Sequence, residues 1–348
     1  MARRIGDDSR HEWFDNSLER VTGERRHDPK AVAAWWRTGA VLEIGRSGDV
    51  SMTEESPDDK GLQRSGDMPG ADRGAWLTRS LGELTADEPG EPRSPGDLPP
   101  WHVTLIGTDS IPYDAQRHVF LGIAEGTPVF CDLECVPRGR TIDVKAALPL
   151  LIPAEGEAVV TAAALLNWHH AETHCASCGH PTVVWAAGAS RWCAACEREW
   201  FPRTDPAIIV AVTDADDRLL LGRRAGGDPT RFSVLAGFVE AGECPADTIV
   251  REVREEAGID VGDQRPFDSQ PWPFPRSLML AYTARALPGG AGAPEPHPDG
   301  EEIAEARWFS RRDVADGLDS GTLTLPGRCS IAYRLIRAWY VRRHPTSG

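Results

Sequence analysis

Apolar and polar positions alternate in some stretches of this chain and recur at helical spacing in others, and the two patterns predict most of its elements. Helical spacing covers Pro245–Ala257, and Ile331–Arg342 reads as an amphipathic C-terminal helix. The Ala-rich run Gly156–Ala171 also reads as a helix, and Ala31–Arg37 is helix-like. An apolar run follows at Ala40–Ile44. From His102 the runs HVTLIG and HVFLGIAEGTPVFCDLEC are β-like, with turn residues between them. Ala207–Val212 predicts a buried strand, and Leu219–Gly222 its hairpin partner across a turn carrying Asp214, Asp216 and Asp217. Leu278–Ala286 and Ala304–Phe309 predict further strands, with a flexible loop over 286–300. Strands and helices interleave in the second half, which predicts a mixed sheet flanked by helices. Residues 51–100 are poor in large apolar side chains. They read as mostly loop or disordered, with a short helical piece near Trp76–Leu84. No long-period repeat is visible.

Composition narrows the picture. A chain of 348 residues, 41% hydrophobic and 26% charged, reads as globular with room for two domains. Its formal net charge of -15 argues against a long nucleic-acid backbone as partner, because that mode needs a broad basic face. A small anionic substrate is compatible if metal ions screen the carboxylates around it. The N-terminal MARRIGDDSRHEWF has no apolar h-region, and no stretch approaches the roughly 18 apolar residues of a membrane helix, so a cytoplasmic location is expected.

Four of the eight cysteines have metal-site spacing. Cys175-x2-Cys178 and Cys193-x2-Cys196 are 14 residues apart, the signal of a zinc ribbon, in which each knuckle supplies two thiolates of a tetrahedral site. The competing reading is a redox pair. Four sulfur ligands leave no open position for water, so one structural Zn²⁺ per chain is expected. His169, His170, His174 and His180 lie nearby and are read as packing or surface residues.

The most informative segment is GFVEAGECPADTIVREVREEAGI, Gly237–Ile259. Glu252, Glu255 and Glu256 fall at i, i+3 and i+4 on one helical face. Three carboxylates this close repel one another unless hard divalent cations offset them. Arg251 and Glu243 are placed to pair and lock the loop to the helix. Gly237 and Gly242 allow a tight bend, and Gly258 falls where a left-handed cap would end the helix. An isolated E-x-x-E-E is commonly a solvated acidic face. Here Gly237, Glu243, Arg251, Glu252, Val253, Glu255, Glu256, Gly258 and Ile259 fill every fixed position of G-x5-E-x7-R-E-U-x-E-E-x-G-U. A chance match is on the order of one in a billion per start position. The segment resembles the signature of the Nudix hydrolases.

Ten residues further on comes SQPWPFPRS, Ser269–Ser277. Alternating prolines make it stiff and extended, with Trp272 and Phe274 on one side, suited to a nucleotide pocket. The competing reading is a Pro-rich loop that packs its aromatics into the core. Behind a Nudix box, the strip resembles the signature of the NADH pyrophosphatase (NudC-type) subfamily. The cysteine segment and FPRTDP, Phe201–Pro206, follow the order of that subfamily.

The resemblance implies an α+β chain. It has a mixed α/β N-terminal domain over 1–165, a zinc ribbon over 166–201 and a Nudix α/β/α sandwich with a mixed sheet over 202–348. It implies two or three Mg²⁺ or Mn²⁺ ions held by Glu252, Glu255, Glu256, the backbone carbonyl of Ala236, and Glu302, with Glu301 the alternative register. Glu252, Glu255 and Glu256 form the catalytic set. Substrate contacts fall on Phe201, Phe238, Gln270, Pro271, Trp272, Pro273, Phe274, Pro275, Arg276, Ser277 and, through its backbone, Ala332. Phe201 and Phe238 are a candidate base sandwich. A polar family position is taken by Gly188. The implied reaction is hydrolysis of NAD(H) to nicotinamide mononucleotide and AMP in a homodimeric enzyme. The alternatives are removal of a 5′-NAD cap from RNA by the same chemistry and a nucleotide sensor without turnover. The four intact box glutamates weigh against the sensor.

Overall fold

The computed structural model of the chain describes residues 18–21, 23–54, 101–151, 153–288 and 294–342. The helical piece expected near Trp76–Leu84 lies outside them. The described residues up to Pro202 form one compact unit and those from Arg203 onward another.

In the first unit, strands β1 (Leu18–Glu19), β2 (Ala40–Leu42), β5 (Leu105–Gly107), β6 (His118–Ala124) and β7 (Thr127–Asp132) make a sheet in the order β1-β6-β7-β2-β5. Only β2 and β7 run parallel. Helix α1 (Gly23–Arg26) precedes α2 (Pro29–Arg37), which is capped by the Asp28 side chain and starts on Pro29. Helix α2 buries Trp35 and Trp36 against Phe120 and Phe130, with Trp35 stacked 4.6 Å from Phe120. A smaller sheet has the order β4 (Trp101–Val103), β3 (Asp49–Glu54), β8 (Thr141–Asp143), and β8 leads into the short helix α3 (Val144–Ala147). The Ala-rich helix α4 spans Pro153–Ala171 and is buried on nearly every side, as a helix without a polar face must be. The antiparallel ribbon β9 (Val183–Trp185), β10 (Ser190–Cys193) and β11 (Arg198–Trp200) follows.

The second unit is a sandwich around a mixed sheet. Strand β12 (Asp205–Thr213) pairs in parallel with β16 (Ser277–Ala286) and antiparallel with β14 (Leu235–Phe238). Strands β13 (Leu219–Arg224), β15 (Val261–Trp272) and β17 (Ile303–Phe309) complete it in the order β15-β16-β12-β13-β17. The expected β12–β13 hairpin is short, joined in register only at Thr213 and Leu219. Side chains of β12 alternate between two cores. Ile208, Val210 and Val212 meet Ile249, Val253 and Ala257 of helix α5 (Pro245–Ala257). Ile209 and Ala211 share the opposite core with Leu335, Ile336 and Trp339 of helix α7 (Ile331–Val341). Both faces are covered, which is why β12 reads as a continuous apolar run. Helix α6 (Arg311–Ser320) is closed by a capping box between Ser310 and Asp313. No helix of the described residues is long and apolar enough to cross a membrane.

Candidate active site and metal centres

Helix α5 is fastened at its start by a charged clamp. The guanidinium of Arg251 donates to Glu243 twice at 2.9 Å, to Glu252 at 2.9 Å, to Glu255 at 3.0 Å and to the Phe238 carbonyl at 3.0 Å. Glu243 also accepts from the Thr248 hydroxyl and the Glu240 N–H, which closes the loop ahead of the helix. The bond from Arg251 holds the Glu243 carboxyl down at about 2, and the same bond raises Arg251. Gly242 takes φ 88 in the loop, and Gly258 takes φ 67 as the left-handed cap of α5.

Gly237 is required for a different reason from the expected bend. It lies in β14, where a Cβ would stand 1.9 Å from the Glu252 carboxyl carbon. The strand must pass that close for helix and sheet to present one surface.

The three box carboxylates are not equivalent. Glu255 has a side chain 59% exposed and is tied to Arg251. Glu252 is mostly covered, and its carboxyl is raised by burial despite the Arg251 bond. Glu256 is only 6% exposed, so the expectation of a solvent-facing Glu256 is corrected. Its Oε2 has no hydrogen-bond partner. Burial first, then the charges of Glu252, Glu302 and Asp299, push this carboxyl up to about 8, against a backbone bond from Ala236. A buried carboxylate oxygen without a partner, beside further carboxylates, is the donor set of a hard divalent cation. Glu302 precedes β17 on an exposed turn, next to the equally exposed Glu301.

The strip Gln270–Ser277 is not the extended segment expected. It is a hairpin tip: β15 ends at Trp272, β16 begins at Ser277, and these two residues pair. Pro273 and Pro275 lie in the turn, where no ladder N–H is needed, and the Phe274–Pro275 peptide is cis. Trp272 and Phe274 meet edge to face at 5.1 Å. Gln270 is buried: its amide donates to the Cys329 carbonyl and accepts from the Ile331 N–H, each at 2.7 Å. The guanidinium of Arg276 donates to Asp205 at 2.6 Å. Pro271 and Pro275 are exposed, and Pro273 is buried. Phe238 is 58% exposed at the end of β14, and Phe201 of the first unit is 66% exposed. The Ala332 side chain is buried in the first turn of α7.

Cys175, Cys178, Cys193 and Cys196 bring their sulfurs within 4.8 Å of one another, a separation that suits one tetrahedral ion. His169, on α4, is tied to the ribbon strands. Arg191 donates to its Nδ1 at 3.1 Å, which leaves Nε2 to donate to the Gly188 carbonyl at 2.8 Å. Arg191 also donates to both oxygens of Thr182. Gly188 stands at φ 87 with Val119 where a Cβ would be. A side chain is excluded there by space.

The sequence reading missed Asp299, whose turn carries Glu302. Its one local signal is the Asp-Gly dipeptide at 299–300.

The profile of the NUDIX domain matches residues 203–324. The chain is 39% identical over 334 residues to the NAD-capped RNA hydrolase NudC of Mycobacterium bovis, which covers 92% of this chain and 94% of that protein. It is 37% identical over 227 residues to the NAD-capped RNA hydrolase NudC of Stutzerimonas stutzeri, covering 64% of this chain and 77% of that protein. A NAD-capped RNA hydrolase of Macaca fascicularis is 36% identical over 211 residues, 57% of this chain and 44% of that protein. The fold and the carboxylate helix make this a Nudix hydrolase. Within that class, the chain belongs to the NudC-type family.

Proposed function

We propose that the protein hydrolyses the pyrophosphate bond of NAD(H) to nicotinamide mononucleotide and AMP. The observation that carries this reading is the buried, unpartnered Oε2 of Glu256 beside Glu252 and Glu302. Glu252, Glu255, Glu256, Glu302 and the Ala236 carbonyl hold two or three Mg²⁺ or Mn²⁺ ions. Bound divalent cations supply charge neutralisation at the pyrophosphate oxygens and acidify a water for attack on phosphorus. Arg251 keeps Glu252 and Glu255 in place while they change charge environment. Phe201, Phe238, the Gln270–Ser277 hairpin and the Ala332 backbone form the nucleotide pocket. Four cysteines hold one structural Zn²⁺. The domains divide as 1–165, 166–201 and 202–348, and the enzyme is a cytoplasmic homodimer.

The same chemistry on the NAD-bearing 5′ end of an RNA is the second reading, favoured by what the relatives are named for. The net charge of -15 permits a grip on terminal nucleotides more readily than extended contacts to the chain.

A panel of dinucleotides and NAD-capped RNA, incubated with Mn²⁺ and with products identified, tests both readings. Mononucleotide products from NADH are expected, and their absence across the panel overturns the proposal. Glu256→Gln should abolish turnover in a folded protein, because it removes the buried charge and keeps the shape. Near-normal activity in that variant would refute the role given to the carboxylates.

A further inference from the structure

Glu302 stands on an exposed turn with no core packing to aim it, yet its charge acts on both Glu252 and Glu256. Asp299 is the residue that organises this turn. Its Oδ1 accepts from the backbone N–H of Glu301 at 3.2 Å, of Glu302 at 3.2 Å and of Ile303 at 2.9 Å. Its Oδ2 accepts from Glu302 again at 3.2 Å. Gly300, at φ 77, donates its N–H to the Ile303 carbonyl at 3.0 Å and closes the turn. From the neighbouring segment, the Ala225 N–H donates to the Glu302 carbonyl at 2.8 Å. The backbone of residue 302 is therefore gripped at both its N–H and its C=O. The direction of its side chain follows from that grip.

The placement is costly unless it serves the site. Asp299 adds a further negative charge within reach of Glu256, whose Oε2 is already buried without a partner. A neutral turn residue would avoid that repulsion. What an aspartate offers is two short acceptor oxygens, enough to collect three successive N–H groups. Asparagine has one such oxygen, and its amide nitrogen can only donate.

We propose that Asp299 is a positioning residue of the pyrophosphatase centre: by gathering the N–H groups of residues 301–303 it sets where the Glu302 carboxylate stands against Glu252 and Glu256, and so how tightly a divalent cation is held. This rests on the reading of Glu302 as a metal ligand. Asp299 itself touches neither substrate nor reacting atoms.

The test is binding of Mn²⁺ to the full-length protein without substrate, followed by electron paramagnetic resonance of the free ion, alongside metal titrations of NADH hydrolysis. Removing a residue that orients a metal ligand costs about ten- to a hundredfold in metal affinity, and Asp299→Ala is expected to lose that much. Asp299→Asn should lose less, because one acceptor remains. Both should regain most of their turnover at saturating Mn²⁺, a split that general loss of structure would not produce. Should Asp299→Ala fail to fold, Asp299→Asn carries the test. Wild-type Mn²⁺ binding in the Asp299 variants, with Glu302→Gln weakened, overturns the proposal and leaves the role of Glu302 standing. Wild-type binding in Glu302→Gln overturns both.

Discussion

At the scale of single residues, the metal chemistry and the choice of substrate sit on different side chains. The carboxylates of α5 meet only a diphosphate, which NADH, ADP-ribose and diadenosine diphosphate share. Discrimination must come from groups that meet bases and riboses. Phe238, 58% exposed where β14 runs out toward Glu252, is placed for this. Stacking on an aromatic face contributes roughly 1–3 kcal/mol per base, which corresponds to about 5- to 150-fold in kcat/KM. Phe238→Ala is expected to lose that much on NADH and to keep more of its activity on a dinucleotide that relies less on the stack. Equal losses on every pyrophosphate, in a kinetic comparison across substrates, would assign Phe238 a structural role instead. Gln270 carries the opposite lesson. Its place in a substrate-like motif suggested a ligand contact, but its amide is occupied by the Cys329 carbonyl and the Ile331 N–H. It joins the hairpin to the start of α7.

At the scale of elements, α4 and the ribbon are joined by His169, whose two nitrogens are engaged by Arg191 and Gly188. Burial, reinforced by the Arg191 charge and opposed by the Gly188 bond, lowers the imidazole to about 4 from an ordinary value near 6.5. The neutral ring is the folded form, so the unfolded chain binds the extra proton between those values. The stabilising contribution is thus complete above about pH 6.5 and is lost as pH falls toward about 4. His169→Asn should be less stable than wild type at neutral pH. The gap, measured by denaturant unfolding over a pH series, should narrow as the pH drops through that window. A gap that stays constant would contradict this account. The adjoining Gly188 was read as a lost polar contact, and the structure shows why no side chain fits: Val119 occupies the space.

At the scale of the whole molecule, the ribbon's four thiolates are expected to bring about one zinc per chain, since such sites bind with roughly 10–16 kcal/mol. Elemental analysis of protein prepared without chelator checks the ratio, and a metal-free result would refute the ribbon site. Cys178→Ser should lower the melting temperature more than it lowers kcat, because the cluster belongs to the first compact unit and the carboxylate helix to the second. Association needs separate evidence. The apolar face of α7 once offered a dimer surface. It is spent within the chain, with Leu335 and Ile336 each 1% exposed and Trp339 4% exposed over the sheet. A homodimer must therefore use other surfaces. Light scattering at micromolar concentration should read twice the chain mass, and a value near 37.9 kDa would exclude it.

What the sequence determined by itself was whatever depends on spacing along one element. The i, i+3, i+4 carboxylates, the Arg251–Glu243 pair, the left-handed Gly258 and the paired cysteine knuckles were all legible, because helix pitch and turn geometry convert sequence distance into position. Strand β12 was legible for the same reason, as an unbroken apolar run. Strand β15 was not, because its Val261–Trp272 segment carries charges and prolines and takes its pairing from β16. Only the tertiary structure decided which carboxylate is buried. The neighbours of Glu256 are Ala236 in β14 and Glu302 and Asp299 ahead of β17, residues distant in sequence that are brought to it by the sheet. It likewise decided that Gly237 yields space to Glu252 and that Asp299 holds the turn of Glu302. Burial and close approach arise between elements, and no local pattern encodes them.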